Sequence, residues 1–154
     1  MSDLSTNPAF TVYTLCSSLL ILNLLGLWAY SGAVRGKEKS VPNPEDVTTV
    51  SKGSTVSEVN PPGVARVLRA HGNAMANSIP FLFLGLLFVL QGGSGTEAWV
   101  FFGLFTLFRW AHTLTYLNEV QPWRTVSFAL GLLTSLGLLI RVLILTFAHP
   151  VVLY

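Results

Sequence analysis

The sequence predicts an all-α integral membrane protein, a four-helix bundle with little mass outside the bilayer. Three observations carry that expectation. The chain of 154 residues is 51% hydrophobic and only 10% charged, whereas a soluble domain carries about 25% charged residues. Its apolar residues fall in four blocks, each close to the roughly 20 residues that cross a bilayer as a helix. Its basic residues gather between these blocks at one end, the pattern that marks a cytoplasmic face.

The first block covers residues 10–34. The preceding "MSDLSTNPAF" has no Lys or Arg, and the block is longer than the apolar region of a signal peptide, so a membrane helix is expected. Cys16 is the only cysteine and excludes an intrachain disulfide. In an apolar helix it reads as packing. A polar cytoplasmic loop, residues 35–62, follows and carries Arg35, Lys37, Lys39 and Lys52. Within it "NPED" reads as a helix start. Asn43 caps, Pro44 suits the first position, and Glu45 and Asp46 meet the positive end of the dipole. No convincing strand is present.

The second block, residues 64–90, holds its polar residues in its first half and should kink at Pro80. The third, residues 98–117, follows the turn "GGSGTE". The fourth covers residues 126–147. Four spans leave no room for a separate soluble domain, so residues 1–154 are expected to form one transmembrane domain. An even number of spans puts both termini on the non-cytoplasmic side. A net charge of +2 is too small to suggest nucleic acid.

Polar residues inside the spans are the functional signal. Arg66, Arg69 and Asn73 fall at i, i+3 and i+7 in the second span and share a face. Arg109, His112 and Tyr116 repeat that spacing in the third, with Thr113 beside them. Arg124 and Thr125 stand at the mouth of the fourth, followed by Ser127 and Phe128. All lie in the cytoplasmic half. A charge at the bilayer centre costs about 2.5–3.5 kcal/mol on insertion scales. Arg66 and Arg124 escape by snorkelling, but Arg109 needs a partner or a polar cavity. The carboxylates on that side are Glu38, Glu45, Asp46, Glu58 and Glu119, and the surplus of cations favours an anionic ligand in a cleft. The alternative is that these groups pair with one another and merely fix helix packing. Arg141, toward the other end, reads as an outward-snorkelling anchor. No Cys or His spacing suggests a metal site, and no phosphate loop or serine nucleophile motif is present.

The stretches "RVLRAHGNAMANSIPFLFLGLLF" and "FRWAHTLTYLNEVQPWRTVSF", with "VRGKEKSVPNPED", closely resemble the core of the MAPEG family. These are the membrane-associated proteins of eicosanoid and glutathione metabolism. The likeness is nearest to the branch of microsomal prostaglandin E synthases and glutathione transferases. The resemblance implies a four-helix protomer in a homotrimer, with glutathione as cosubstrate held between subunits near the cytoplasmic face. By position, Arg35, Asn73, His112, Tyr116, Arg124, Thr125 and Phe128 match residues around glutathione. Arg69 and Arg109 match basic residues at or near that site. Arg124 matches the arginine assigned to the thiol, and Thr125 stands where the family often has serine. Asp46 matches an aspartate proposed to assist chemistry in the synthase branch. Three positions depart from the pattern. Gly72 replaces a larger residue, Ala76 replaces an acid placed to meet the ligand's amino group, and Phe128 replaces a tyrosine.

The expected activity is thiol activation at a membrane interface. The thiolate is the nucleophile, and a cation lowers a thiol pKa by roughly 1–3 units. Arg124 would supply the charge and Thr125 a hydrogen bond to sulfur. A lipophilic electrophile or peroxide would enter from the bilayer and be conjugated, reduced or isomerised. A non-catalytic lipid-binding scaffold of the same family and a small transporter are the alternatives.

Overall fold

The computed structural model describes residues 6–49 and 51–148. The chain termini, whose side of the membrane the charge pattern assigns, lie largely outside the described residues. Helix α1 runs Pro8–Lys37. Asn7 caps it, its side chain accepting from Ala9 N at 2.9 Å, and Pro8 occupies the first helical turn. Arg35 and Lys37 form its last turn, where cations suit the helix dipole. Arg35 is therefore helical, although the apolar block ends before it. Ala9, Val12, Cys16, Leu20, Asn23, Leu27 and Ser31 are buried in steps of three or four, one face of the helix. Leu22, Leu25 and Trp28 are exposed on the remaining surface. A helix that is apolar all round and buried on one stripe has its other faces suited to lipid.

The connection to the next long helix is more ordered than its composition suggests. Ser40–Val41 (β1) pairs in parallel with Thr55–Val56 (β2), Ser40 opposite Thr55 and Val41 opposite Val56. Two-residue strands are too short to leave an alternating pattern, which is why the sequence shows none. Between them α2, Pro44–Thr49, begins at the "NPED" motif with Glu45 and Asp46 in its first turn. The Asn43 amide nitrogen donates to the Asp46 carboxylate at 3.3 Å.

Helix α3, Pro62–Leu90, contains Pro80 and ends at Gln91. Gly92 follows with φ +77°, the left-handed conformation that glycine adopts at a helix C-terminus. Ser94 and Glu97 then form a capping box that starts α4, Gly95–Ala98. The chain continues without a break through a π-helical segment, Trp99–Gly103, into α5, Leu104–Leu117. The last helix, α6, runs Trp123–Ala148. Three helices, α1, α3 and α6, are long and apolar enough to cross a membrane. The third apolar block is a composite: its helical run changes pitch part-way.

Helix α1 packs chiefly on α3 and α5 chiefly on α6, while α3 also touches α5 and α6. Phenylalanines fill the centre. Phe81 stacks on Phe105 with centroids 3.6 Å apart, and Phe102 meets Phe81 and Phe88 edge to face at 5.9 and 5.7 Å. Such pairs add about 0.5–1.5 kcal/mol beyond burial. Gly85 lets Tyr13 approach α3, where the Tyr13 hydroxyl donates to Leu82 O at 3.2 Å.

Arg141 departs from the snorkelling expected of it. It turns inward to Glu97, Nε to Oε1 at 2.6 Å and Nη2 to Oε2 at 3.3 Å. This fork ties α6 to the start of α4. The ion pair suits a low-dielectric rim better than a lone cation does, and it holds the Glu97 carboxyl below its ordinary range, chiefly through the hydrogen bond from Arg141.

Candidate functional site

The site grows from the i, i+3, i+7 stripe of α5. His112 is buried and Tyr116 half-buried. Their rings lie 5.6 Å apart at 54°, and the Phe128 ring of α6 sits 5.9 Å from His112. The Arg124 guanidinium carbon stands 5.0 Å from the Tyr116 ring centroid. This cation–π contact is worth about 0.5–1 kcal/mol where water has access. Among the described residues Arg124 joins no salt bridge. The first turn of α6 thus carries a cation held against an aromatic wall, with no carboxylate of the described residues paired to it.

Arg124 and Thr125 share a neighbour that the sequence reading did not single out. Gln121 lies three and four residues before them. With its amide oriented so that both polar atoms are satisfied, Oε1 accepts from Arg124 Nη2 at 2.6 Å and from Nε at 3.1 Å. Its nitrogen then donates to the Thr125 hydroxyl oxygen at 3.1 Å. The opposite orientation would set amide N–H groups against guanidinium N–H groups, so the hydrogen-bond network selects the first.

Below this layer, Arg109 is buried almost completely, at 1% exposure. Its Nη2 donates to Asn73 Oδ1 at 2.6 Å and, at the long distance of 3.4 Å, to Asn73 O. Among the described residues the Nε and Nη1 atoms have no partner. Arg109 is thus buried within the chain and reaches its surroundings through the Asn73 side chain. The Asn77 amide nitrogen donates to Asn73 O at 2.8 Å and completes this layer. Next to it the Thr113 hydroxyl donates to Asn23 Oδ1 of α1 at 3.1 Å, both residues buried. Asn23 was also absent from the candidates, although an asparagine alone in an apolar run was a visible signal.

Arg35 and Asp46 are placed apart from this cluster. They line a cavity of about 330 Å³ with Gly32, Gly36, Val41 and Pro42. Arg35 Nη2 donates to Asn60 Oδ1 at 2.6 Å, and its Nη1 is buried without a partner among the described residues. Arg69 is exposed on α3. Arg66 pairs with Glu119 at 2.8 Å and ties the start of α3 to the turn after α5. No hydrogen bond, ion pair or ring contact among the described residues joins Arg35, Asp46 or Arg69 to Arg124. A single chain therefore assembles His112, Tyr116, Arg124, Thr125 and Phe128 near Asn73 and Arg109, and carries the other candidates elsewhere.

Long apolar helices, with a cationic and aromatic cluster at one end, are the features of a helical membrane protein. The model of the MAPEG family matches residues 13–144, and the chain belongs to that family. It is 34% identical over 139 residues to human prostaglandin E synthase, which covers 90% of each chain. It is 35% identical over 122 residues to the rat prostaglandin E synthase, 79% of this chain and 76% of that one. Pig microsomal glutathione S-transferase 1 is 31% identical over 146 residues, 93% of this chain and 94% of the other.

Proposed function

We propose that this chain is a membrane-embedded glutathione-dependent enzyme that activates the thiol for attack on a lipophilic electrophile or peroxide. The observation that carries this reading is Arg124, a guanidinium over Tyr116 at the mouth of α6 that joins no salt bridge among the described residues. Relatives named prostaglandin E synthase and microsomal glutathione S-transferase support the choice of thiol and the reaction class.

Arg124 stabilises the developing thiolate electrostatically, as a cation within hydrogen-bond reach does. Thr125 donates a hydrogen bond to the sulfur. His112, Tyr116 and Phe128 wall the thiol, and Asn73, held by Arg109, presents polar groups to the peptide. The thiol proton leaves to water at the mouth of the cleft. Conjugation, peroxide reduction and isomerisation all begin from this thiolate.

Residues 98–117 supply the remaining crossing, third in chain order, of a single-domain protomer. Three protomers then associate, which brings Arg35, Asp46 and Arg69 of one copy toward the Arg124 cluster of another. Asp46 assists the chemistry across that interface, and the lipophilic substrate enters along it from the bilayer. The cluster faces the cytoplasm and both termini the other side, as the basic residues of the first connection favour.

Pure protein in lipid nanodiscs with a generic lipophilic electrophile tests the reading. Turnover should require glutathione and should fall at least about tenfold, the equivalent of one thiol pKa unit, in Arg124→Ala. Glutathione-independent binding of lipid without turnover would instead mark a scaffold.

A further inference from the structure

Gln121 is neutral and exposed, and precedes the apolar block of α6. Its surroundings give it a specific task. The backbone of this turn is committed elsewhere: Arg124 N donates to Val120 O at 3.1 Å, and Thr125 N to Pro122 O at 2.9 Å. The Gln121 side chain is left to bridge Arg124 and Thr125. We propose that Gln121 is a positioning residue for thiol activation. Its oxygen fixes the Arg124 guanidinium, and its nitrogen turns the Thr125 hydroxyl proton toward the sulfur. The inference rests on the thiolate reading above and names what sets its geometry.

The chemistry turns on donors and acceptors. An arginine has only donors, so a side chain that holds it must accept. A hydroxyl has one proton and two lone pairs. When the Gln121 nitrogen fills a lone pair of Thr125, the hydroxyl proton remains for a third group, and a thiolate is an acceptor. An acceptor in place of that nitrogen would take the proton and leave the sulfur without it. Neutrality matters equally. A carboxamide grips the guanidinium without cancelling its charge, whereas a carboxylate at the same place would pair with Arg124 and weaken its effect on the thiol. Glutamine meets both requirements at once. Glutamate meets neither, and methionine fills the same space with no hydrogen bonds.

The experiment follows the thiolate absorbance of bound glutathione against pH in nanodisc-embedded protein. The variants are Gln121→Met, Gln121→Glu, Arg124→Ala, Thr125→Val and the double variant Gln121→Met with Thr125→Val. Gln121→Met should reduce thiolate near neutral pH by about three- to tenfold, a half to one pKa unit. Gln121→Glu should reduce it further. The loss from Gln121→Met should shrink in the Thr125→Val background, because part of its effect passes through that hydroxyl. A residue that merely shapes the turn would leave the titration unmoved. The inference is overturned if Arg124→Ala suppresses the thiolate while Gln121→Met and Gln121→Glu both titrate as the parent does. It is also overturned if Gln121→Glu ionises the thiol as readily as the parent. An Arg124→Ala variant that titrates like the parent refutes the thiolate reading itself, and the role of Gln121 falls with it.

Discussion

Replacing Asn73 by leucine removes the short hydrogen bond that the buried Arg109 makes to its side chain. Arg109 Nη2 reaches Asn73 Oδ1 at 2.6 Å, and the second contact, to Asn73 O, is long at 3.4 Å. Since Nε and Nη1 have no partner among the described residues, the loss falls on a cation at 1% exposure. A hydrogen bond to a charged group contributes about 1.5–3 kcal/mol, so Asn73→Leu should destabilise the folded protein by about that amount. Arg109→Met leaves an unpaired amide oxygen and should cost about 1–3 kcal/mol. The double variant replaces both partners with apolar groups. It should be more stable than the sum of the single losses allows, by at least about 1 kcal/mol. Reversible unfolding in mixed micelles measures all four proteins. Strictly additive losses would mean that Asn73 and Arg109 are not the coupled pair described here.

Three further outcomes follow from other parts of the molecule. The Glu97 carboxyl is held below its ordinary value by Arg141, so its stabilising effect is present above the ordinary carboxyl pKa of about 4.3 and is lost as pH falls through the folded value. The acid-side drop in unfolding temperature should therefore flatten in Glu97→Gln. At Gly85 an added Cβ would meet Tyr13 and Phe102 at 3.0–3.2 Å. Gly85→Val should destabilise by about 1–3 kcal/mol through overpacking, read by the same unfolding assay. Native mass spectrometry from nanodiscs should show three copies of the chain; monomer alone under several gentle conditions would remove the shared-site arrangement.

How much of this was legible beforehand depends on the kind of signal. Long apolar runs announce membrane helices, and α1, α3 and α6 are long and apolar enough to cross a membrane. The π-helical segment Trp99–Gly103 was not legible. A shift of hydrogen-bond partner leaves apolar composition unchanged, and "WVFFG" reads equally well in either pitch. The β1–β2 pairing was hidden because two residues carry no period. Arg141 was misjudged because its partner Glu97 is 44 residues away, and only the fold shows that the turn after α3 returns to α6.

In the site, spacing alone put Arg109, His112 and Tyr116 on one face. It could not tell that Arg109 faces inward to Asn73 while Tyr116 faces Arg124. Gln121 left no mark because a neutral polar residue outside a membrane span costs nothing and so attracts no notice. Its significance lies in distances, not in type. Arg35 and Asp46 came from resemblance and line a cavity that does not include Arg124.

The most direct test of thiol activation is the ionisation of bound glutathione in Arg124→Ala, followed by thiolate absorbance across pH. Removing the cation should raise the thiol pKa by about one to two units, so that thiolate near neutral pH falls roughly ten- to a hundredfold. Glutathione binding should weaken less, since Arg124 addresses the sulfur and not the carboxylates. Arg124→Lys should recover part of the loss, because an ammonium keeps the charge without the planar fork. If Arg124→Ala ionises the bound thiol as readily as the parent protein, Arg124 is structural and thiolate stabilisation by this residue is wrong.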